Sequence, residues 1–240
     1  MYFSLIKLVL SFFDFFNQKK ILSFFKKNIE SKISFFVDVG AHHGETIKIF
    51  NKNFDIKNIL AFEPSPYNYQ QLLKETKNIE GLKIYDFGLG EKKGIVDFKQ
   101  HYESSSSTMT KINDQSDYFK RKNFYLNFFN KKKPQFECIK VKIDRLDNIF
   151  NSLEINKIDI LKIDTEGYDF NVIKGLGNHI KNVKYIYFEH HFHNMLVKSY
   201  TLNDVHSFME QNNFEKVFKT KMYFRKTFEY IYFNKSFIKL

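Results

Sequence analysis

From residue 33 onward, short continuous apolar runs alternate with segments whose apolar positions recur at helical spacing. That alternation predicts an α/β fold with a largely parallel sheet. The apolar runs predict strands over residues 34–39, 58–62, 82–87, 158–163 and 184–189, and the helical patterns fall at 45–52, 67–77, 144–153 and 201–211. Thr201 and Asp204 stand at capping-box spacing at the start of the last helix. Asn213 is placed to end it in the left-handed conformation. After the break at Gly94, residues 95–98 alternate like an edge or hairpin strand, while 215–219 and 228–233 form a closing antiparallel pair. One long irregular stretch, roughly 100–134, holds a serine run and the lysines Lys131, Lys132 and Lys133. A connection of that length inside a compact domain is functional or disordered.

The N-terminal segment reads differently. Phe3, Ile6, Leu10, Phe13, Phe16 and Leu22 gather toward one side of a helix, and Lys19, Lys20, Lys26 and Lys27 cluster after them. Lys7 and Asp14 interrupt the apolar run well short of the roughly 18 residues a spanning helix needs, and no signal-peptide pattern is present. Two readings stay open: an arm packed on its own domain or a dimer partner, or an interfacial helix on an anionic membrane. The expected organisation is an arm over 1–32 followed by one domain over 33–240, with the oligomeric state open.

Composition narrows the partners. The net charge of +11 favours anionic ones, among them nucleic acid, phosphorylated sugars and an acidic membrane surface. The 30 Phe accompany abundant Lys, Asn and Ile, the usage that AT-rich codons produce, so clusters of Phe carry little functional weight. Cys138 is the only cysteine, which rules out an intrachain disulfide and a CxxC metal site and suits a reducing cytoplasm.

Candidate chemistry sits at the ends of the predicted strands, where open α/β sheets bind ligands. In FFVDVGAHHGET, Gly40 and Gly44 give GxxxG, not the GxGxxG of dinucleotide folds, and Asp38 suits a cationic amino group better than a phosphate. A valine at Gly40 is expected to block a cofactor while leaving much of the fold. In LAFEPSP, Glu63 ends the second strand where a carboxylate accepts ribose hydroxyls. The third strand ends in Asp86, Phe87 and Gly88, placing a carboxylate and an aromatic wall near an adenine. In ILKIDTEGYD, Asp164 and Glu166 follow a wholly apolar strand; general base, hydroxyl orientation, oxygen ligation of a divalent cation and a plain ion pair with Lys162 all remain open. In FEHHFHN, alternation sends Glu189 and His191 one way and His190 the other; an acceptor-site acid/base role for Glu189 or His190, a metal site and plain structural packing all stay open. The side chains of His42 and His43 are expected to diverge, with no acidic residue near enough to complete a metal set, so no metal site is assigned.

Taken in order over about residues 35–233, VDVGAHHG, AFEPSP, FGLGEKKGIVDF with its downstream SSSST, and KIDTEGYD followed by KYIYFEHH resemble the FkbM family of S-adenosylmethionine-dependent methyltransferases. The resemblance implies a class I, Rossmann-like methyltransferase fold and O-methylation, commonly of sugar or secondary-metabolite hydroxyls. It implies a cofactor site drawn from Asp38, Gly40, Ala41, His42, Gly44, Glu63, Pro64, Ser65, Asp86, Phe87, Gly88 and Asp164, and catalytic candidates Asp164, Glu166, Glu189 and His190. The family often carries Asn where His42 stands, so a polar contact is expected there. The implied acceptor is a small molecule or sugar, phosphorylated or carrier-linked, handled in the cytoplasm or at the inner face of a membrane reached through residues 1–30.

Rival readings fit less of the chain. A nucleobase-amino methyltransferase resembles a different motif where DTEG stands here, and Cys138 lacks the setting of a cytosine-methylating thiol, so nucleic acid is not the expected partner. A nicotinamide-dependent oxidoreductase lacks its GxGxxG. A non-catalytic membrane-associated module leaves the strand-end carboxylates unexplained.

Overall fold

The computed structural model describes residues 16–30, 32–101, 106–121, 136–223 and 225–238. In chain order it contains α1 (16–28), β1 (Lys32–Val39), α2 (Glu45–Asn53), β2 (Asp55–Phe62), α3 (Pro66–Glu75), β3 (Leu82–Tyr85), β4 (Gly88–Leu89), β5 (Gly94–His101) and β6 (Lys111–Ile112). There follow α4 (117–121), β7 (Phe136–Asp144), α5 (Leu146–Ser152), β8 (Ile158–Ile163), α6 (Asp169–Lys174), β9 (Val183–His191), β10 (Leu196–Val197), α7 (Leu202–Gln211), β11 (Phe214–Lys221) and β12 (Thr227–Asn234).

Seven strands form the main sheet in the order β11-β12-β9-β8-β1-β2-β3. β3, β2, β1, β8 and β9 are parallel, and β12 runs antiparallel to both β9 and β11. A parallel strand covered on both faces is apolar at every position, and β8 is buried throughout. On one face, Val37, Leu161 and Phe188 pack against Phe150, Ile173 and Met209 from α5, α6 and α7. On the other, Phe36, Ile59 and Ile160 pack against Phe25, Ile47, Phe50 and Leu72 from α1, α2 and α3.

That second face changes character toward the carboxyl ends of the strands. The row Phe36–Ile160–Tyr185 is apolar and aromatic, but two residues further the row is Asp38–Lys162–Tyr187. Beside it Glu189 lies opposite Glu229, which in turn lies opposite Thr220. The charged functional layer is thus built into the sheet itself.

Helix α1 belongs to this layer. Asn17, Ile21, Phe25 and Ile29 face the domain and are buried, whereas Phe16 is 40% exposed. The inward side is therefore not the one centred on Phe16 that apolar spacing alone suggests. Phe3, Ile6, Leu10 and Phe13 fall outside the described residues.

The main strands and helices lie where the alternation places them. The capping box of α7 forms, and Asn213 closes the helix at φ 67°. The sequence pattern misses β7, a half-exposed strand rich in Lys and Glu, and the two-residue strands β4, β6 and β10, which are too short to show a period. β7 pairs with β5 and β4 in a separate small sheet. The stretch 100–134 is partly ordered: β5 runs to His101, Lys99 bridges to Thr108, and β6 pairs with β10. Lys131, Lys132 and Lys133 lie outside the described residues.

Candidate functional site

A cavity of about 870 Å³ opens at the carboxyl ends of the parallel strands, within the range of small-molecule sites. Its first wall is the turn after β1. The backbone N–H groups of Gly40 and Ala41 both donate to the carbonyl of Phe62, at 2.9 and 3.1 Å, and Asp164 N donates to the carbonyl of Val39 at 2.9 Å. The turn is thereby pressed onto the end of β8. A Cβ on Gly40, at φ 77°, would overlap the carbonyl oxygen of Asp164. Gly40 is required by strand-end packing as well as by ligand clearance, which corrects the expectation that a side chain there spares the fold. Gly44 faces Thr76 and Leu72, toward α3, and does not line the cavity.

His42 lies in the left-handed region at φ 50°, where Asn, Asp and His are the tolerated non-glycine residues. Its N–H donates to Glu63 Oε2 at 2.9 Å, and Ser65 N donates to Glu63 Oε1 at 3.0 Å. Burial raises the Glu63 pKa to about 7 against these two bonds. Glu63, Pro64, Ala41, His42 and Gly88 line the cavity; Ser65 stands behind, its hydroxyl capping α3 and donating to Gln100. Asp86 is exposed and Phe87 packs on Phe62 and Tyr85, so neither reaches the wall.

The histidine pair does not diverge. The rings of His42 and His43 stack at 3.8 Å and 13°, and Glu45 accepts from His43 N and meets His42 Nδ1 at 3.0 Å. Burial raises and His42 lowers the Glu45 pKa, leaving it at about 2. One ligand atom from each of the three lies within 4.8 Å of the others. Glu45 therefore stands near enough to complete a three-residue set with the two histidines, which corrects the expectation that no acidic residue does.

The floor of the cavity is charged. Lys162 Nζ lies 3.0 Å from Asp38 Oδ1 and 3.6 Å from Asp164 Oδ2, and donates to the carbonyl of Gly40 at 3.4 Å. Burial opposes the charge on Lys162, but Asp38 and Asp164 outweigh it and raise its pKa. Asp38 is fully buried and does not itself line the cavity.

His191 Nε2 stands between Glu166 Oε2 at 3.3 Å and Glu189 Oε1 at 3.2 Å. Burial works against its protonation, yet the two carboxylates hold its pKa well above the ordinary imidazole value. Glu166 is left-handed at φ 51° and is followed by Gly167 at φ 89°. Asp169 fastens this turn, accepting from Thr165 N at 3.0 Å and Gly167 N at 3.2 Å, while Thr108 Oγ1 donates to the Glu166 carbonyl at 2.7 Å.

His190 points to the other side of β9. It packs on Phe192 and Tyr200, with Lys198 Nζ 3.2 Å away, and burial with that lysine pushes its pKa down to about 3. It does not line the cavity, and His191 occupies the place assigned to it. The alternation along FEHH already carried this signal.

Four further groups escaped the sequence reading. Glu229 is buried on the floor, its oxygens accepting from Asn17 Nδ2 of α1 and from the Tyr187 hydroxyl, and burial raises its pKa to about 8. Asn17 is held in turn by Thr220 Oγ1, which donates to its Oδ1 at 2.7 Å. Tyr118 stacks on His193 at 4.1 Å along the upper wall, and Arg225 lines the cavity near them. None belongs to a motif with fixed spacing, and each comes from an element distant in sequence.

The family model described as the methyltransferase FkbM domain matches residues 38–216. Two curated relatives are 23% identical: Methyltransferase 1 of Beauveria bassiana (strain ARSEF 2860), over 60% of this chain and 58% of that protein, and the hexuronic acid methyltransferase AglP of Haloferax volcanii, over 64% of this chain and 54% of that protein. The chain spans a little over half the length of these curated relatives. Among solved structures, the methyltransferase FkbM of Methylobacillus flagellatus KT superposes with a TM-score of 0.54 at 15% identity, over 86% of this chain and 44% of that one, a likeness of fold.

The overlap at Gly40 generates a test of the cavity's construction. Gly40→Ala is expected to lower the melting temperature and to destabilise the protein by at least about 1–3 kcal/mol, the range for a left-handed or overpacked non-glycine site. A denaturant melt unchanged from the parent protein would show that β1 and β8 do not meet as closely as described.

Proposed function

Because the chain belongs to the FkbM methyltransferase family, whose cofactor is S-adenosylmethionine and whose fold is the class I Rossmann-like one, we propose that it transfers a methyl group to a hydroxyl of a sugar or glycoconjugate. The observation that carries the reading is the imbalance of charge around the cavity. Asp164, Glu166, Glu189 and Glu229 line it with only Lys162 and His191 as cations on the floor. With Asp38, paired to Lys162, counted and Glu229 left out, since its raised pKa keeps it protonated near neutral pH, four carboxylates share two cations. That surplus of buried negative charge suits a cofactor bearing a sulfonium and an ammonium group. Similarity to a hexuronic acid methyltransferase and a net charge of +11 support a sugar acceptor, and carrier-linked or phosphorylated forms suit the same charge.

The cofactor supplies an electrophilic methyl carbon bonded to a positive sulfur. The chain's own residues then divide the work. Glu63, already held by two backbone donors, accepts the ribose hydroxyls, while the turn at Gly40, Ala41 and His42 shapes the wall beside them. Methyl transfer is an in-line displacement, so fixing the acceptor oxygen is the main demand. Glu166, held by His191 and by its own left-handed turn, would take the proton of the acceptor hydroxyl, the cofactor leaving as its neutral thioether. Glu189 shares His191 and keeps the imidazolium in place. Neither the oxidoreductase nor the scaffold reading gains support from this family.

Peripheral membrane contact remains a second reading for α1. Lys19, Lys20, Lys26 and Lys27 are exposed on α1, Lys20 Nζ also donating to the Tyr223 hydroxyl at 3.3 Å, and among the described residues no helix is long and apolar enough to cross a membrane. Binding to vesicles containing acidic lipid, weakening as salt is added and absent with neutral vesicles, is the expected result. Equal recovery with both vesicle types would overturn it.

Two measurements test the enzyme reading. S-adenosylmethionine affinity is expected to rise as pH increases through about 7, because Glu63 must lose its proton before it accepts both ribose hydroxyls. In Glu63→Ala that pH dependence should vanish and calorimetric affinity fall by about 1.5–3 kcal/mol for each charge-assisted bond lost, before compensation. Glu166→Gln should keep cofactor affinity and slow methyl transfer by roughly 10²–10⁴-fold. Turnover near that of the parent would remove Glu166 from the chemistry.

A further inference from the structure

The cavity has a second electrostatic character at its rim, opposite in sign to its floor. Arg225 and Lys226 belong to the turn between β11 and β12, and Arg121 ends α4; all three line the cavity. The turn is fixed from both sides. Met222 N donates to the carbonyl of Thr227 at 3.0 Å, and Phe192 N donates to the carbonyl of Lys226 at 2.7 Å, which ties the turn to the segment leaving β9. Arg225 is therefore carried beside the strand end that bears Glu189 and His191.

Tyr118 lies on α4 with Arg121, lines the same cavity and stacks on His193 at 4.1 Å. One cavity thus holds Glu166 and Glu189 on its floor and guanidinium and ammonium groups at its rim. As the floor carboxylates are complementary to a cofactor's positive charges, the three cations at the rim are complementary to a negative charge on the other reactant. Guanidinium groups hold carboxylate and phosphate through paired, planar hydrogen bonds.

We propose that the acceptor is an acidic sugar whose carboxylate or phosphate is bound by Arg225 with Lys226 and Arg121, while its hydroxyl faces Glu166. This rests on the methyltransferase reading above. Charge selection at the rim then excludes neutral sugars of the same shape, and the three cations are specificity-determining, with no part in the bond changes.

The test uses the full chain saturated with S-adenosylhomocysteine and titrated with D-glucuronate, D-glucose 6-phosphate or D-glucose, binding being read by calorimetry or ligand-observed NMR. At least one of the two anions is expected to bind roughly tenfold more tightly than glucose, the difference shrinking as salt is added; which anion it is separates carboxylate from phosphate. Arg225→Gln with Lys226→Gln should reduce that anion to the level of glucose and leave S-adenosylhomocysteine affinity and melting temperature unchanged. If the double variant does not fold, Lys226→Gln and Arg121→Gln, both at exposed positions, carry the same comparison. Equal binding of glucose and the anions, or no anion binding to the loaded protein, overturns the proposal. Loss of S-adenosylhomocysteine binding in the variants also overturns it, since the rim would then serve the cofactor. Failure of the parent protein to bind S-adenosylhomocysteine instead strikes the methyltransferase reading itself.

Discussion

The ionic contact between Lys162 and Asp38 is the constraint on which the rest of the site depends. Both side chains are almost wholly removed from water, on neighbouring strands in register, in a sheet whose next row inward is apolar. Leaving either charge alone there would be far more costly than the pair. The contact therefore holds β1 and β8 in one register at the level where their turns begin, and through Asp164 and the Gly40 carbonyl it extends into both turns. A ligand above meets a wall whose position is settled before it arrives.

Close approach of the two strand ends then dictates the backbone. Gly40 has no room for a Cβ, and two non-glycine residues that line the cavity, His42 and Glu166, are held in left-handed conformations after the neighbouring strands β1 and β8. Each is stabilised from outside itself: His42 by its N–H to Glu63, Glu166 by Thr108 on its carbonyl and by Asp169 across the turn. Strain of this sort persists only where neighbours over-determine it. Of these neighbours Glu63 itself lines the cavity, while Thr108 and Asp169 stand behind the wall that Glu166 forms.

Legibility in the sequence followed the range of the interaction concerned. The parallel strands were readable because burial on both faces leaves continuous apolar runs, and α7 because its cap is local. Glu63 and Glu166 were readable because strand ends in this architecture point at the ligand. The period of two along FEHH puts His191, not His190, beside Glu189, a placement that side-chain chemistry alone does not distinguish. His42 stands out in the sequence for its side chain, although its backbone angle better explains why Asn or His is suited there. Glu229, Asn17, Tyr118 and Arg225 were hidden because each acts across a long separation in the chain, and the half-charged β7 had no clean alternation to betray it.

The hydrogen bond from Asn17 to Glu229 joins residues separated by 212 positions, the first described helix to the last strand of the sheet. It closes nearly the whole chain into a loop, the kind of contact whose entropy cost falls late in folding. During synthesis α1 leaves the ribosome long before β12 exists. The floor beneath the cavity stays open until the final strand is released and inserts between β9 and β11, so a nascent or prematurely terminated chain holds most of the catalytic motifs yet has no finished site.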